Sequence, residues 1–171
     1  MNNIYFVVFL IAGIQVTGNE AWKNSYDAPL NFKCPTGHSI SEITSQHHNG
    51  YEDRRWDLRC KRSPPSTSCF WTGYVNGFDH PFHYSCPDNY IISGMSSYHQ
   101  NRQEDRRWKF YCCRVNNYCS HYCYWTPYVN TFDERFTWHV PHNHNLVGVG
   151  SYHNNRAEDR RWRFRYCART C

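Results

Sequence analysis

Hydrophobic and polar residues alternate along the segment that begins at Asp105. Trp108, Phe110 and Cys112 fall on one side of an extended chain, and Arg107, Lys109 and Tyr111 on the other. A period of two marks a strand with one buried face. The pattern appears three times, each time headed by Glu-Asp-Arg-Arg-Trp, as Glu52 to Trp56, Glu104 to Trp108 and Glu158 to Trp162. The motif tryptophans are 52 and 54 residues apart, so one unit has been used three times.

Shorter β-favouring runs precede the motif strand. Units two and three open alike, Trp71 to Asp79 against Trp125 to Asp133, and Asn76-Gly77 and Asn130-Thr131 read there as tight turns. A second strand is expected around Phe82 to Cys86 and Arg135 to Val140, and a third over Tyr90 to Met95 and Asn145 to Val149. The polar segment before each motif reads as a loop with the shared pattern His-x-Asn-x-x-Glu-Asp-Arg. No long stretch carries a helical period. These elements predict an all-β single domain of three pseudo-symmetric repeats, about 19–62, 69–113 and 123–167. A β-prism-like arrangement with one small sheet per unit is the first expectation, and a β-trefoil the second.

The apolar run from Ile4 to Ile14 is too short to span a bilayer and reads as a secretory signal peptide, residues 1–18, ahead of a domain at 19–171. No later segment is apolar enough to cross a membrane. Ten cysteines behind a leader imply an oxidised framework. Comparing the units narrows the pairing. Cysteines 22 residues before and 4 after the motif Trp occur in unit one (Cys34, Cys60) and unit two (Cys86, Cys112), and unit three has Val140 and Tyr166 there. Cys69 and Cys123 share a spacing of 44 residues with Cys113 and Cys167, whereas unit one has Glu20 and Lys61 in those places. Partners absent together imply Cys34–Cys60, Cys86–Cys112, Cys69–Cys113 and Cys123–Cys167, leaving Cys119–Cys171.

The net charge of +5 gathers at the C-terminal end. Arg161, Arg163 and Arg165 fall on one strand face with Arg156 and Arg169 nearby, a row suited to sulfates or carboxylates on a polysaccharide. Secretion argues against nucleic acid as the partner. His47, His99 and His153, paired with Asn49, Asn101 and Asn155, suggest a sugar-contacting loop or simple caps on loop backbone. Asp53, Asp105 and Asp159 with Arg54, Arg106 and Arg160 are expected to staple loop to strand, and Trp56, Trp108 and Trp162 to be core. His139, His142 and His144 read as exposed loop residues, so neither metal nor cofactor is expected. Adjacent carboxylates such as Glu104 and Asp105 point to opposite faces of a strand and cannot flank a glycosidic bond, which argues against an enzyme.

The segments Asp53 to Leu58, Asp105 to Phe110 and Asp159 to Phe164 resemble the Asp-Arg-Glu/Gln-Trp-x-Phe/Tyr repeat of the dermatopontin family. Phe32 to Pro35, the Tyr-Val-Asn-x-Phe-Asp segments and the Ser-x-His-x-Asn lead-in resemble it too. The resemblance implies a secreted, non-enzymatic matrix or adhesion protein that binds proteoglycans or matrix proteins; sugar-inhibited agglutinins and cytotoxins are its other forms. Arg55, Arg107 and Arg161 depart from the family's Glu or Gln, which makes the motif more basic, and the acidic, tyrosine-rich N-terminal stretch of the vertebrate proteins is lacking. The expected activity is binding of acidic glycans, with a sugar-specific agglutinin and a defensive cytotoxin as alternatives, and an oligomer is compatible with each.

Overall fold

A computed structural model describes residues 21–115 and 122–169. The expected leader and the expected Cys119–Cys171 bridge lie outside the described residues. Those described form eleven strands and no helix: β1 (Leu30–Lys33), β2 (His38–His48), β3 (Asp53–Arg62), β4 (Ser66–Trp71), β5 (Phe82–Ser85), β6 (Tyr90–Gln100), β7 (Asp105–Val115), β8 (Cys123–Trp125), β9 (Phe136–His139), β10 (His144–Asn154) and β11 (Asp159–Ala168). No helix among them is long and apolar enough to cross a membrane.

Each unit is a long antiparallel hairpin, β2–β3, β6–β7 or β10–β11, with the motif at the start of its second strand. All three hairpins slip register at the same place, between Ile40 and Glu42, Ile92 and Gly94, and Leu146 and Gly148. The carbonyls of the skipped residues turn outward and accept from the neighbouring unit. Ser93 takes the N–H of Cys34 (2.8 Å), Val147 that of Cys86 (2.9 Å) and Ser41 that of Val140 (2.8 Å). A bulge of this kind frees one backbone group for a partner outside the ladder.

Three sheets, one built on each unit's hairpin, are consistent with the expected prism-like arrangement, but each sheet also takes a strand from another unit. The short strand of each unit pairs with the next unit's hairpin: β1 with β6, β5 with β10 and β9 with β2. The registers are equivalent, Leu30 opposite Ser97, Phe82 opposite Ser151 and Phe136 opposite Ser45. Two four-stranded sheets (β1-β6-β7-β4 and β5-β10-β11-β8) and one three-stranded sheet (β3-β2-β9) close a ring. Gly94 and Gly148 permit this close pairing, because a Cβ there would sit 2.7 Å from the carbonyl oxygens of Phe32 and Tyr84.

The inward faces of the three hairpins meet at Trp56, Trp108 and Trp162, which are at most 1% exposed. Their rings contact one another edge to face, with centroids 4.9–5.0 Å apart and interplanar angles of 76–81°. Each such pair adds about 0.5–1.5 kcal/mol beyond the area it buries. Phe110 and Phe164, fully buried, extend the core outward together with Ile43, Met95 and Val149.

Two kinds of disulfide brace the ring. Cys69–Cys113 and Cys123–Cys167 join directly opposed residues within a sheet. Cys34–Cys60 and Cys86–Cys112 cross from one sheet to another. At the third seam Val140 is buried and Trp138 packs against Tyr166 and Phe164 instead. Lys61 adds a tie between sheets by donating to the His144 carbonyl at 2.7 Å; burial, then the charge of Arg169, pulls its pKa down to about 8.

Replacing Cys86 and Cys112 together with alanine is expected to lower the unfolding free energy by about 3–4 kcal/mol, since the unfolded chain loses its cross-link. A urea titration of the variant against the parent reads this directly; an unchanged midpoint would show that the seam holds without its bridge.

Candidate functional site

The site is built outward from the motif. On the strand that begins at Asp53, Asp105 or Asp159, the Asp and the following Arg both reach into the ring, and all six are 3–4% exposed. Their partners are exchanged between units. Arg106 grips Asp53 through Nε and Nη2 (both 2.6 Å), Arg160 grips Asp105 (2.6 and 2.7 Å) and Arg54 grips Asp159 (2.6 and 2.7 Å). These are bidentate, charge-assisted contacts, in a circle that runs once through all three units. The same Nη2 groups also donate to the carbonyls of Ala28, His80 and Glu134.

A second set of contacts holds the opening segment of each unit to its own motif. Asn24, Asn76 and Asn130 accept the N–H of Trp56, Trp108 and Trp162 at 2.9 Å and donate to the carbonyls of Arg54, Arg106 and Arg160. Asn76 and Asn130 therefore do not sit in the strand-to-strand turns expected from Asn-Gly and Asn-Thr. The chain turns instead at Asp27, Asp79 and Asp133, whose φ of 60–63° is unusual outside glycine, and their N–H groups donate to Asp53, Asp105 and Asp159 at 2.8 Å. Trp22 takes the place of Tyr74 and Tyr128, not of Trp71 and Trp125, so setting Glu20 opposite Cys69 misaligns the units by three residues.

Strand alternation turns the next motif residue outward. Arg55 lies over Trp22 (4.2 Å), Arg107 over Tyr74 (4.7 Å) and Arg161 over Tyr128 (5.0 Å). Each guanidinium is also held by a polar neighbour, Gln46, Tyr98 or Tyr152. On the third sheet the row continues. Arg163 lies between Trp125 (4.9 Å) and Tyr128 (5.5 Å) and donates to His83 Nε2 at 2.6 Å; burial and the charge of Arg163 hold that imidazole below its ordinary pKa. Arg165 reaches Ser85 at 3.3 Å. These side chains are half-buried and pre-placed.

Of the arginines singled out in the sequence, Arg161, Arg163 and Arg165 share this face. Arg156 stands at the hairpin tip and Arg169 beyond the opposite end of β11, on the Arg62 carbonyl. The imidazoles of His47, His99 and His153 are at most 1% exposed and turn inward to carboxylates, while Asn49 and Asn155 accept from His47 and His153. Asn101 is exposed in its loop. The stacking rings and the Asn24 and Asp27 group went unread in the sequence; the equal 32-residue spacing of Asn24, Asn76 and Asn130 from their tryptophans was the available signal.

Together these features define a class: an all-β, disulfide-braced, pseudo-three-fold domain whose buried ionic ring supports outward cation–aromatic faces. Residues 24–171 match the family model for dermatopontin, and the chain belongs to that family. It is 45% identical over 169 residues to the hemagglutinin/amebocyte aggregation factor of Limulus polyphemus, covering 98% of this chain and 97% of that protein. Millepora cytotoxin-1 of Millepora dichotoma is 41% identical over 145 residues, 84% of this chain and 65% of the relative. Dermatopontin of Biomphalaria glabrata is 35% identical over 147 residues, 86% and 99% respectively. No solved structure matches.

Asp105→Asn should destabilise the fold by about 3–5 kcal/mol, because it strands the buried Arg160 guanidinium. Acid should act through the same ring. Burial alone would raise the Asp53 carboxyl, but hydrogen bonds from His99 and Arg106 and their charges more than offset it and hold it far below the usual carboxylate range. The unfolded Asp titrates near pH ~3.9 and binds more protons than the folded one below about pH 5, so this stabilisation is complete above that and drains as the pH falls further. Thermal unfolding at pH 6, 4 and 2.5 checks the trend; a flat profile would refute it.

Proposed function

We propose that this chain is a secreted, non-enzymatic adhesion protein that binds acidic glycans on the outer face of its third sheet. The observation that carries the reading is the row Arg161, Arg163 and Arg165, the first two stacked on Tyr128 and Trp125, the three tied to Asn130, His83 and Ser85 respectively. Alternate strand residues repeat at about 6.8 Å, so the row presents cations at a fixed spacing along one direction. Guanidinium groups already held in place lose little rotamer freedom on meeting a sulfate or carboxylate. Trp125 and Tyr128, half-buried within the row, offer apolar rings for the carbohydrate. Disulfide bracing and relatives named as a dermatopontin and an aggregation factor support an extracellular setting.

An agglutinin is the second reading, favoured by the repetition of the outer stack at Arg55, Arg107 and Arg161 and by the name of the Limulus relative. Three equivalent faces on one rigid body let weak contacts act together across cells.

The Arg163→Ala/Arg165→Ala variant should leave heparin at lower salt than the parent and bind it at least about tenfold more weakly, the loss of two charge-assisted contacts. Heparin-column elution and titration calorimetry measure this; unchanged elution would reject the face. If the repeated faces aggregate cells, clumping should be blocked by heparin and should weaken in an Arg107→Ala/Arg161→Ala variant.

A further inference from the structure

The seam between units one and two departs from the next seam at matched positions. Between units two and three, Ile91 and Val147 are buried and pack with Val115 and Cys167. The strand registers put Ser39 and Ser93 at the equivalent points of units one and two. A pair of serines thus stands where the next seam has an apolar contact. Both are at most 2% exposed, and neither hydroxyl has a hydrogen-bond partner. Buried polar atoms are rarely left so, and each case calls for an explanation.

Ser93 lines a cavity of about 230 Å3 that lies between the turn after β1 and the start of β4. Thr36, Ser66 and Thr67 add further hydroxyls. Cys34, Cys69 and Cys113 also line it, and their two disulfides stiffen the wall. Lys33 is exposed at the rim, with its ammonium 5.3 Å from the centre of the Tyr111 ring. None of the described residues that line the cavity is acidic. The site therefore offers one held cation and several hydroxyls, one of them buried and unsatisfied.

We propose that this cavity binds a single carboxylated monosaccharide, the end residue of a glycan chain. Its volume lies below the roughly 300–1,000 Å3 of sites for drug-sized ligands, so it admits one sugar ring and not a continuous chain. The ligand carboxylate meets the Lys33 ammonium in a charge-assisted contact. The ligand hydroxyls pair with Thr36, Ser66 and Thr67, and the Ser93 hydroxyl gains the partner it lacks. A compact anion such as phosphate would leave most of these hydroxyls unused. The site is separate from the arginine row of the third sheet and does not rest on it: the row meets charges along a chain, and the cavity reads its end.

The test uses the full disulfide-bonded chain and two probes with the same ring, methyl glucuronide and methyl glucoside, titrated by calorimetry and saturation-transfer NMR. One glucuronide per chain is expected, bound at least about tenfold more tightly than the glucoside, the effect of one charge-assisted contact. Ser93→Val introduces the residue type that unit three carries as Val147 at the matched position. It should weaken glucuronide binding at least about tenfold and leave heparin-column elution unchanged. Loss of heparin retention in the Arg163→Ala/Arg165→Ala variant reads the other site, so the two readings fail separately. No glucuronide binding, equal binding of the glucoside or of inorganic phosphate, or full binding by Ser93→Val would overturn the proposal. Should Ser93→Val not fold, Lys33→Gln at the exposed rim decides: loss of the preference for glucuronide over glucoside supports the site, and an unchanged preference refutes it.

Discussion

The fold depends on a circular exchange of charge. The charge of each buried Arg of the motif is met by the Asp of a neighbouring unit, Arg106 by Asp53, Arg160 by Asp105 and Arg54 by Asp159. A guanidinium or carboxylate buried without its partner costs several kcal/mol, so one unit alone cannot bury its own motif. Two units leave one Arg and one Asp unsatisfied. Three close the circle, and closing it brings the three tryptophans into edge-to-face contact on the axis. Buried ion pairs are weak sources of net stability, but here they decide how many units assemble and in what order.

Backbone pairing follows the same circulation. The short strand of each unit completes the next unit's sheet, and the carbonyl at each hairpin bulge accepts from that neighbour. Directional hydrogen bonds between units are thus combined with apolar burial at the axis. The seams differ chemically where geometry allows it: two are bridged by sulfur, and the third is packed by Trp138, Phe164 and Tyr166. With its inner face committed, each motif strand is free to vary on the outer one.

That division links the ring to function. Asp53 and Arg54 face in, and Arg55 faces out onto Trp22; the other copies do likewise. The rigid interior holds the outer guanidinium groups on aromatic rings, and the third sheet extends the stack through Arg163, with Arg165 held by Ser85 beyond it. A cation fixed on a ring keeps its charge at the surface while giving up little entropy when an anion arrives.

Sequence alone determined the all-β class, the triple use of one unit, the cysteines that vanish in pairs, and the alternation of faces from the motif tryptophan onward along its strand. All of these depend on local period or on comparing the chain with itself. Which hairpin receives β1, β5 or β9, which Asp each Arg grips, and that His47, His99 and His153 turn inward were decided only by the closed tertiary structure. A two-residue period puts Arg54 and Trp56 on one face of the strand, but it is the same whether a partner lies within the unit or across a seam, and it does not show that Asp53 turns in as well. Ring closure breaks that tie, because only the exchanged pairing leaves no buried charge of the motif alone.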